Sequence, residues 1–222
     1  MPTTLDRRVL VFSRTDGYRH QSIPAGVAAV GALAADLGCA VDATEDSGVF
    51  RAAGLEPYAA VVFLSTSGEV FDDEGKAAFE GYVRDGGGFV GVHAASTTAY
   101  EWPFYQRLVG AGFDRHPPVQ RATMRVTDRK HPATADLGDH WTWVDEWYDF
   151  RTDPTPDVRV LLTVDESTYA GGGMGADHPI AWCHETFGGP AFYTALGHPP
   201  EAYAEPAFRS HLAGGLRYAL GN

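Results

Sequence analysis

Cysteine is nearly absent from this chain: Cys39 and Cys183 are the only two in 222 residues. So remote a pair supplies neither a disulfide framework nor a Cys-type zinc motif. Both lie in apolar stretches, where a small buried hydrophobe is the simpler role. Long hydrophobic runs are missing as well. No stretch approaches the roughly 18 apolar residues that span a bilayer, and the short polar segment before Val9 has no secretory h-region. A cytoplasmic protein with no membrane partner is therefore the expectation. Basic charge is scarce: 17 Lys and Arg stand against 29 Asp and Glu, a net charge of −12. Phosphate backbones are held by Lys and Arg, which argues against nucleic acid as a partner. The G-x-S-x-G elbow of serine hydrolases and any H-x-x-x-H spacing are also absent. Serine chemistry is disfavoured, and any metal would have to be held by ligands scattered along the chain.

What is present is ordinary for a globular protein: 44% hydrophobic and 21% charged residues, with length enough for a sizeable core. Val9 to Ser13 reads as a strand. Ile23, Val27, Val30, Leu33 and Leu37 then recur at helical spacing, with Ser22 as a cap, Pro24 in the first turn and Gly38 as terminator. Cys39 to Ala43 and Ala60 to Leu64 are further strands, and Asp72 to Arg84 is a helix whose acidic first turn suits the helix dipole. Gly86 to Gly88 ends it and leads into the strand before His93. This alternation predicts a parallel sheet covered on both faces. Further on, a helix is expected over Trp102 to Gly112, strands over Ala122 to Thr127 and Val158 to Val164, paired strands over Pro179 to Glu185 and Ala191 to Leu196, and a closing helix over Ala204 to Leu220. The aromatic and acidic segment Trp141 to Phe150 suits a pocket wall or lid, and Ala170 to Ala176 reads as a mobile glycine-rich loop. With no repeat, low-complexity tract or linker, residues 1–222 are read as a single domain.

Three apolar strands each run into a loop histidine. One delivers His93; the strand from Val9 leads to Asp16-Gly17-Tyr18-Arg19-His20; the strand from Ala191 leads to Gly197-His198. In open α/β sheets ligands bind beyond the carboxyl ends of the strands, so the pattern predicts one imidazole-rich pocket. His20, His93, His116 and His198 could ligate zinc or another divalent first-row metal; a hydrogen-bonded place in a pocket wall is the competing role for each. His131, His140 and His211 stand in turn-like or polar helical contexts and are read as structural. His178 could reach the pocket from the glycine-rich loop. Glu146, desolvated by Trp143 and Trp147, could titrate near neutrality and move a proton. Trp102, Tyr105, Trp143, Trp147 and Tyr148 offer rings for the C–H faces of a sugar, with core packing as the alternative, while Asp16, Arg19 and Glu201 could bond its hydroxyls.

Six separated segments carry a resemblance: Asp16-Gly17-Tyr18-Arg19-His20, Gly91-Val92-His93-Ala94-Ala95, Phe113-Asp114-Arg115-His116-Pro117, Asp145-Glu146-Trp147-Tyr148, His178-Pro179-Ile180-Ala181-Trp182 and Phe192 to His198. Over nearly its whole length the chain resembles the ThuA-like (trehalose-utilisation) family. The resemblance implies the fold of class I glutamine amidotransferases, an α/β three-layer sandwich with a mainly parallel, flavodoxin-like sheet. The chain departs from amidotransferases at the elbow, where His93 replaces the cysteine, and at the later His-Pro-Glu, where His198-Pro199-Pro200-Glu201 stands; glutaminase activity is not expected. The resemblance further implies carbohydrate metabolism and a small-molecule carbohydrate substrate, with action on keto-sugars or glycosides. A ketone at C3 acidifies the C2 proton, so that a base could remove it and expel the C1 substituent. On that basis His93 and His198 stand at the reacting centre, Glu146 is the proton-transfer base, His20 and His116 are metal or oxyanion ligands, and Tyr148 and His178 contact substrate. A sugar isomerase or epimerase, and a non-catalytic sugar-binding or regulatory domain, are the alternatives. A homodimer suits so small an α/β protein, although no sequence feature demonstrates one.

Overall fold

The computed structural model describes residues 7–221. Nine strands form one sheet: β1 (Arg8–Phe12), β2 (Ala40–Thr44), β3 (Tyr58–Leu64), β4 (Gly88–Val92), β5 (Gln120–Val126), β6 (His140–Asp145), β7 (Arg159–Val164), β8 (His178–His184) and β9 (Ala191–Thr194). Their spatial order is β2-β1-β3-β4-β9-β8-β7-β5-β6. The first five are mutually parallel and follow the 2-1-3-4-5 order of one kind of doubly wound sheet. The other four extend the sheet as an antiparallel wing. β3 and β4 read as apolar runs without alternation, as strands covered on both faces must.

Five helices accompany the sheet: α1 (Ile23–Asp36), α2 (Ala52–Leu55), α3 (Asp73–Arg84), α4 (Pro103–Val109) and α5 (Pro206–Ala219). Side chains alternate across a strand, which separates two helical layers. Phe63 of β3 meets Phe79 of α3 with ring centroids 5.1 Å apart, and Phe89 of β4 meets Tyr105 of α4 at 5.9 Å. The neighbouring Leu64 and Gly88 face the opposite layer. A Cβ on Gly26 of α1 would lie 2.9 Å from Leu64, and one on Gly88 would collide with the Ala219 carbonyl oxygen of α5. Close helix–sheet packing thus requires glycine at these two positions.

Local chemistry accounts for most element ends. Asp72 caps α3, its carboxylate accepting the Gly75 N–H at 2.7 Å. Ser22 does not cap α1 as expected. It is itself helical, its hydroxyl is buried without a partner, and the Gly26 N–H bonds its carbonyl instead. α4 stops at Val109 because Gly110 turns left-handed, at φ +95°. Of the two roles expected for the segment Trp141 to Phe150, it takes that of wall rather than lid: it supplies edge strand β6 and then buries Trp147 and Tyr148, with Glu146 and Tyr148 lining a cleft. The glycine-rich loop is tied down rather than loose. The Gly173 N–H donates to Asp149 at 3.1 Å, and the Met174 and Gly175 N–H groups donate to Glu166 at 2.8 and 2.9 Å. No helix among the described residues is long and apolar enough to cross a membrane.

Candidate functional site

The carboxyl ends of β1, β3, β4 and β9 lie side by side, and backbone strain gathers in the loops beyond them. Ser65, His93 and Ala99 are the non-glycine residues with left-handed backbone among those described, at φ +48°, +53° and +47°. Such conformations cost about 1–3 kcal/mol each and persist only where surrounding structure enforces them. At His93 the enforcement is visible: the Tyr193 hydroxyl donates to the His93 carbonyl at 2.9 Å, and the His93 Nδ1–H donates to the Ala195 carbonyl at 2.7 Å. That second bond fixes the tautomer and leaves Nε2 as the lone-pair nitrogen. The ring is fully buried, and desolvation pushes its pKa down to about 4 against the opposing pull of Glu146. His93 is therefore a neutral acceptor at the strand tip.

Three more side chains meet Nε2. His20 brings its own Nε2 to 3.1 Å, Glu146 Oε2 lies at 3.3 Å, and the Tyr148 hydroxyl is 2.9 Å away. His198 Nδ1 lies 3.2 Å from Glu146 Oε1, and His116 Nε2 lies 3.5 Å from the same oxygen. Burial alone would raise the Glu146 carboxyl, but hydrogen bonding to His198, His20 and His93 outweighs it and holds the group well below the carboxylate range. The same pairing raises His198. Burial, reinforced by Glu146, keeps Tyr148 a protonated phenol far above its ordinary range.

The donor set fits a metal ion. One atom each from His20, His93, Glu146 and His198 lies within 4.8 Å of every other. Donors bound to one ion at about 2.0–2.1 Å stand about 3.0–3.4 Å apart. Three contacts lie at 3.1–3.3 Å, two of them through different Glu146 oxygens, while His20 Nε2 and Glu146 Oε2 are 4.0 Å apart. His198 Nδ1 is buried with no polar partner beyond the Glu146 carboxylate at 3.2 Å, so both atoms are placed to turn to one ion. Three imidazoles and one carboxylate suit zinc and other divalent first-row ions. Glu146 takes the place in this set that the sequence suggested for His116, which stands at the rim with its Nδ1–H on the Pro117 carbonyl at 2.8 Å.

A buried carboxylate holds the set in place, and a half-buried one supports Tyr148 from behind. Asp145 Oδ1 accepts from the Glu146 and His198 backbone N–H groups at 2.9 and 3.1 Å, and Oδ2 accepts from Gly197 N–H at 3.0 Å. It clamps the segment bearing one ligand to the loop bearing another. Desolvation nevertheless pushes its carboxyl up to about 7 against those three N–H groups. Behind Tyr148, His178 bridges its carbonyl (Nε2, 2.8 Å) and Glu166 (Nδ1, 2.9 Å). Asp149, Glu166 and His178 also come within ligand distance of one another. Their donors, however, are taken up by Arg115, backbone N–H groups and Tyr148.

The remaining candidates scatter. A cleft of ≈ 550 Å³ opens over the cluster, lined by Tyr18, His20, Ser67, Thr97, Tyr100, Phe113, His116, Glu146 and Tyr148 among others. Tyr148 is thus where a substrate residue should be. Asp16 and Arg19 are exposed and paired instead with Arg14 (2.9 Å) and Glu45 (2.7 Å). Trp102 packs on Phe71 at 5.2 Å in the α3–α4 layer, away from the cleft. Trp147 is fully buried, its indole N–H on the Gln120 carbonyl at 2.9 Å, so no ligand can stack on it. His178 begins β8, buried behind Tyr148 rather than reaching out from a loop. Glu201 lines a separate groove of ≈ 510 Å³ with Trp141, Trp143 and Arg121. The larger ≈ 870 Å³ groove lies at the opposite ends of the strands, beside Tyr58, Gly87 and Pro190, and no histidine lines it. Asp145, Tyr18, Ser67, Tyr100 and Phe113 were not singled out as site residues; the exposed Tyr18 in a loop leading to His20 was the signal available.

The fold and site together define an α/β sheet protein with a histidine-rich cluster at the carboxyl ends of its parallel strands, beneath a cleft. This chain belongs to the ThuA, trehalose utilisation, family, whose model matches residues 8–219. Among solved structures, a ThuA-like protein of Bacteroides uniformis superposes with a TM-score of 0.83 at 24% identity, covering 97% of this chain and 91% of that one. A ThuA-like protein of Parabacteroides merdae gives 0.79 at 21% identity, covering 96% and 90%. Among curated proteins none matches this chain.

Proposed function

We propose that this protein is a carbohydrate-active enzyme that expels the C1 substituent of a keto-sugar or glycoside at a metal-assisted acid–base centre. The observation that carries the reading is the convergence of His20, His93, Glu146 and His198, from four separate segments, on the strained tip of β4 beneath a cleft. The family's description supports a carbohydrate substrate. The amidotransferase-like reading of the sheet rests on the order of its parallel strands and on the elbow at His93. A glutaminase route has no nucleophile there, since Cys39 and Cys183 are buried elsewhere.

In a 3-keto sugar the carbonyl acidifies the C2 proton. A base takes that proton, its electron pair forms the C1–C2 double bond, and the C1–O bond breaks as the departing oxygen is protonated. No oxidant or reductant is consumed. A divalent ion held by the four side chains would polarise the sugar oxygen on which charge develops. Glu146, kept ionised by the surrounding imidazoles, serves better as an anionic ligand than as the base. Proton abstraction falls instead to His116, whose Nδ1–H is engaged by Pro117 and whose Nε2 lone pair borders the cleft. Tyr148, held as a phenol, is the proton donor for the departing oxygen.

Elemental analysis of untagged protein, paired with a 3-keto-glucoside assay, tests the reading. Near-stoichiometric first-row metal is expected, lost together with turnover in His20→Ala and His93→Ala. Undiminished turnover in His93→Ala and His198→Ala would sink it.

A further inference from the structure

We infer that the substrate is an uncharged glycoside with an apolar aglycone, its sugar over the histidine cluster and its aglycone against Tyr18, Tyr100 and Phe113. This rests on the catalytic reading above and goes on to name the kind of molecule involved. The cleft is walled by the rings of Tyr18, Tyr100, Phe113 and Tyr148. Three side-chain hydroxyls of its upper part already donate internally. Ser67 donates to the Tyr18 carbonyl at 2.8 Å, Thr97 to the Ala94 carbonyl at 2.8 Å, and the Tyr100 hydroxyl to the Phe113 carbonyl at 3.0 Å. Polar groups able to meet a ligand are concentrated at the floor and inner rim, on His20, Glu146 and His116. A hydroxyl-rich ring finds its imidazole and carboxylate partners there, whereas the protons of the three hydroxyls higher up are already committed. A group filling the upper cleft would lose water without gaining a bond unless its own surface were apolar.

Charge narrows the class further. Among the described residues lining the cleft there is no Lys or Arg. A phosphate or carboxylate carried in the upper cleft, away from the cluster and any ion it holds, would find no cationic side chain to receive it. Exposure points the same way. Tyr18, 69% exposed, and Val119, 46% exposed, are the exposed large hydrophobics among the described residues. Tyr18 lines the cleft, and Val119 lies on the loop just beyond His116. The Tyr18 ring meets the His20 ring edge to face, with centroids 4.8 Å apart. It is an open aromatic face at the mouth of a site, of the kind a bound apolar group covers. An aromatic alcohol is also a better leaving group than a sugar hydroxyl, which suits expulsion from C1.

Titration calorimetry on the purified protein tests this with phenyl and methyl glucopyranosides of each anomer and with glucose 6-phosphate. The phenyl glycoside is expected to bind about tenfold tighter than its methyl counterpart or better, from burial of the added ring. Glucose 6-phosphate should bind no tighter than the methyl glycoside. Tyr18→Ala should remove most of the phenyl advantage and little of the methyl affinity, with its thermal midpoint unchanged. Equal affinity for phenyl and methyl glycosides, or a preference for the phosphate, overturns the inference and leaves the proposed reaction standing. A phenyl preference without consumption of the 3-keto phenyl glycoside sinks the reaction and leaves the inference standing. If no glycoside binds, both fall.

Discussion

Acidification is expected to destabilise this protein through a histidine outside the cleft. His211 of α5 is fully buried among the rings of Phe192, Phe208 and Trp141. Its Nδ1–H donates to the Ala133 carbonyl at 2.8 Å, and its Nε2 lies 3.1 Å from the Thr194 hydroxyl, which donates to it. Desolvation pushes its pKa down to about 4, outweighing the Ala133 bond. The neutral ring is thus the native form, whereas the unfolded chain takes up a proton near pH ~6.5. The resulting stability is fully present above that pH and is lost as the pH falls toward 4, by ~3 kcal/mol in all. His131, also pushed down to about 4 by burial, adds to the loss in the same window. The effect reaches the site, because Thr194 precedes Ala195, whose carbonyl holds the His93 ring. Urea unfolding from about pH 7.5 to 4.5 reads it. His211→Gln should be weaker than wild type by ~1–3 kcal/mol at the upper end, having lost a matched buried bond, and the gap should narrow as the pH falls. A gap that stays constant across the range would refute the assignment of the acid sensitivity to His211.

Other expected outcomes bear on the cluster. Asp145→Asn keeps one acceptor oxygen and turns an N–H2 against a backbone N–H. A loss of ~1–3 kcal/mol in urea unfolding is expected, together with reduced metal content at unchanged far-ultraviolet dichroism; wild-type metal content would mean the clamp positions nothing. Gly197→Ala places a Cβ 2.8 Å from the Tyr203 hydroxyl at φ +117°, costing roughly 1–3 kcal/mol from the backbone alone and shifting His198; a thermal midpoint equal to wild type speaks against this. Tyr148→Phe retains the ring that lines the cleft and removes the proton donor, so keto-glycoside turnover should drop while ligand affinity holds, a split visible in kcat against KM. Chelator treatment should abolish turnover and added first-row metal should restore it; activity that survives exhaustive chelation would leave the imidazoles working without an ion.

The fold and the cluster were legible in the sequence to different depths. His20, His93 and His198 could be placed together because each follows an apolar run, and parallel strands bring their carboxyl ends to one edge. Glu146 stood out as a carboxylate among tryptophans. The partition of the aromatics was not legible: Trp147 and Tyr148 are adjacent, yet one is sealed in the core with its N–H on Gln120 and the other faces His93. Composition describes both as pocket wall, and only the β6 register decides between them. Asp145 escaped notice because its partners are the backbone N–H groups of Gly197 and His198, 52 and 53 positions further on. Ser22 failed as a cap because its own backbone is already helical, at φ −74° and ψ −13°, where a cap residue must be extended.

What the elbow can do follows from how its residue is held. At φ +53° the strand tip presents whatever side chain stands there to the common edge of the loops. A cysteine so presented would attack. An imidazole whose Nδ1–H is bound to Ala195, and whose burial resists protonation, cannot serve as a ready acid or supply a thiolate. It can offer one directed lone pair, at Nε2. His20, Glu146 and Tyr148 gather around that lone pair, so in the proposed reaction the residue at the tip would be one corner of the ligand set, and the proton transfers would fall to the groups around it.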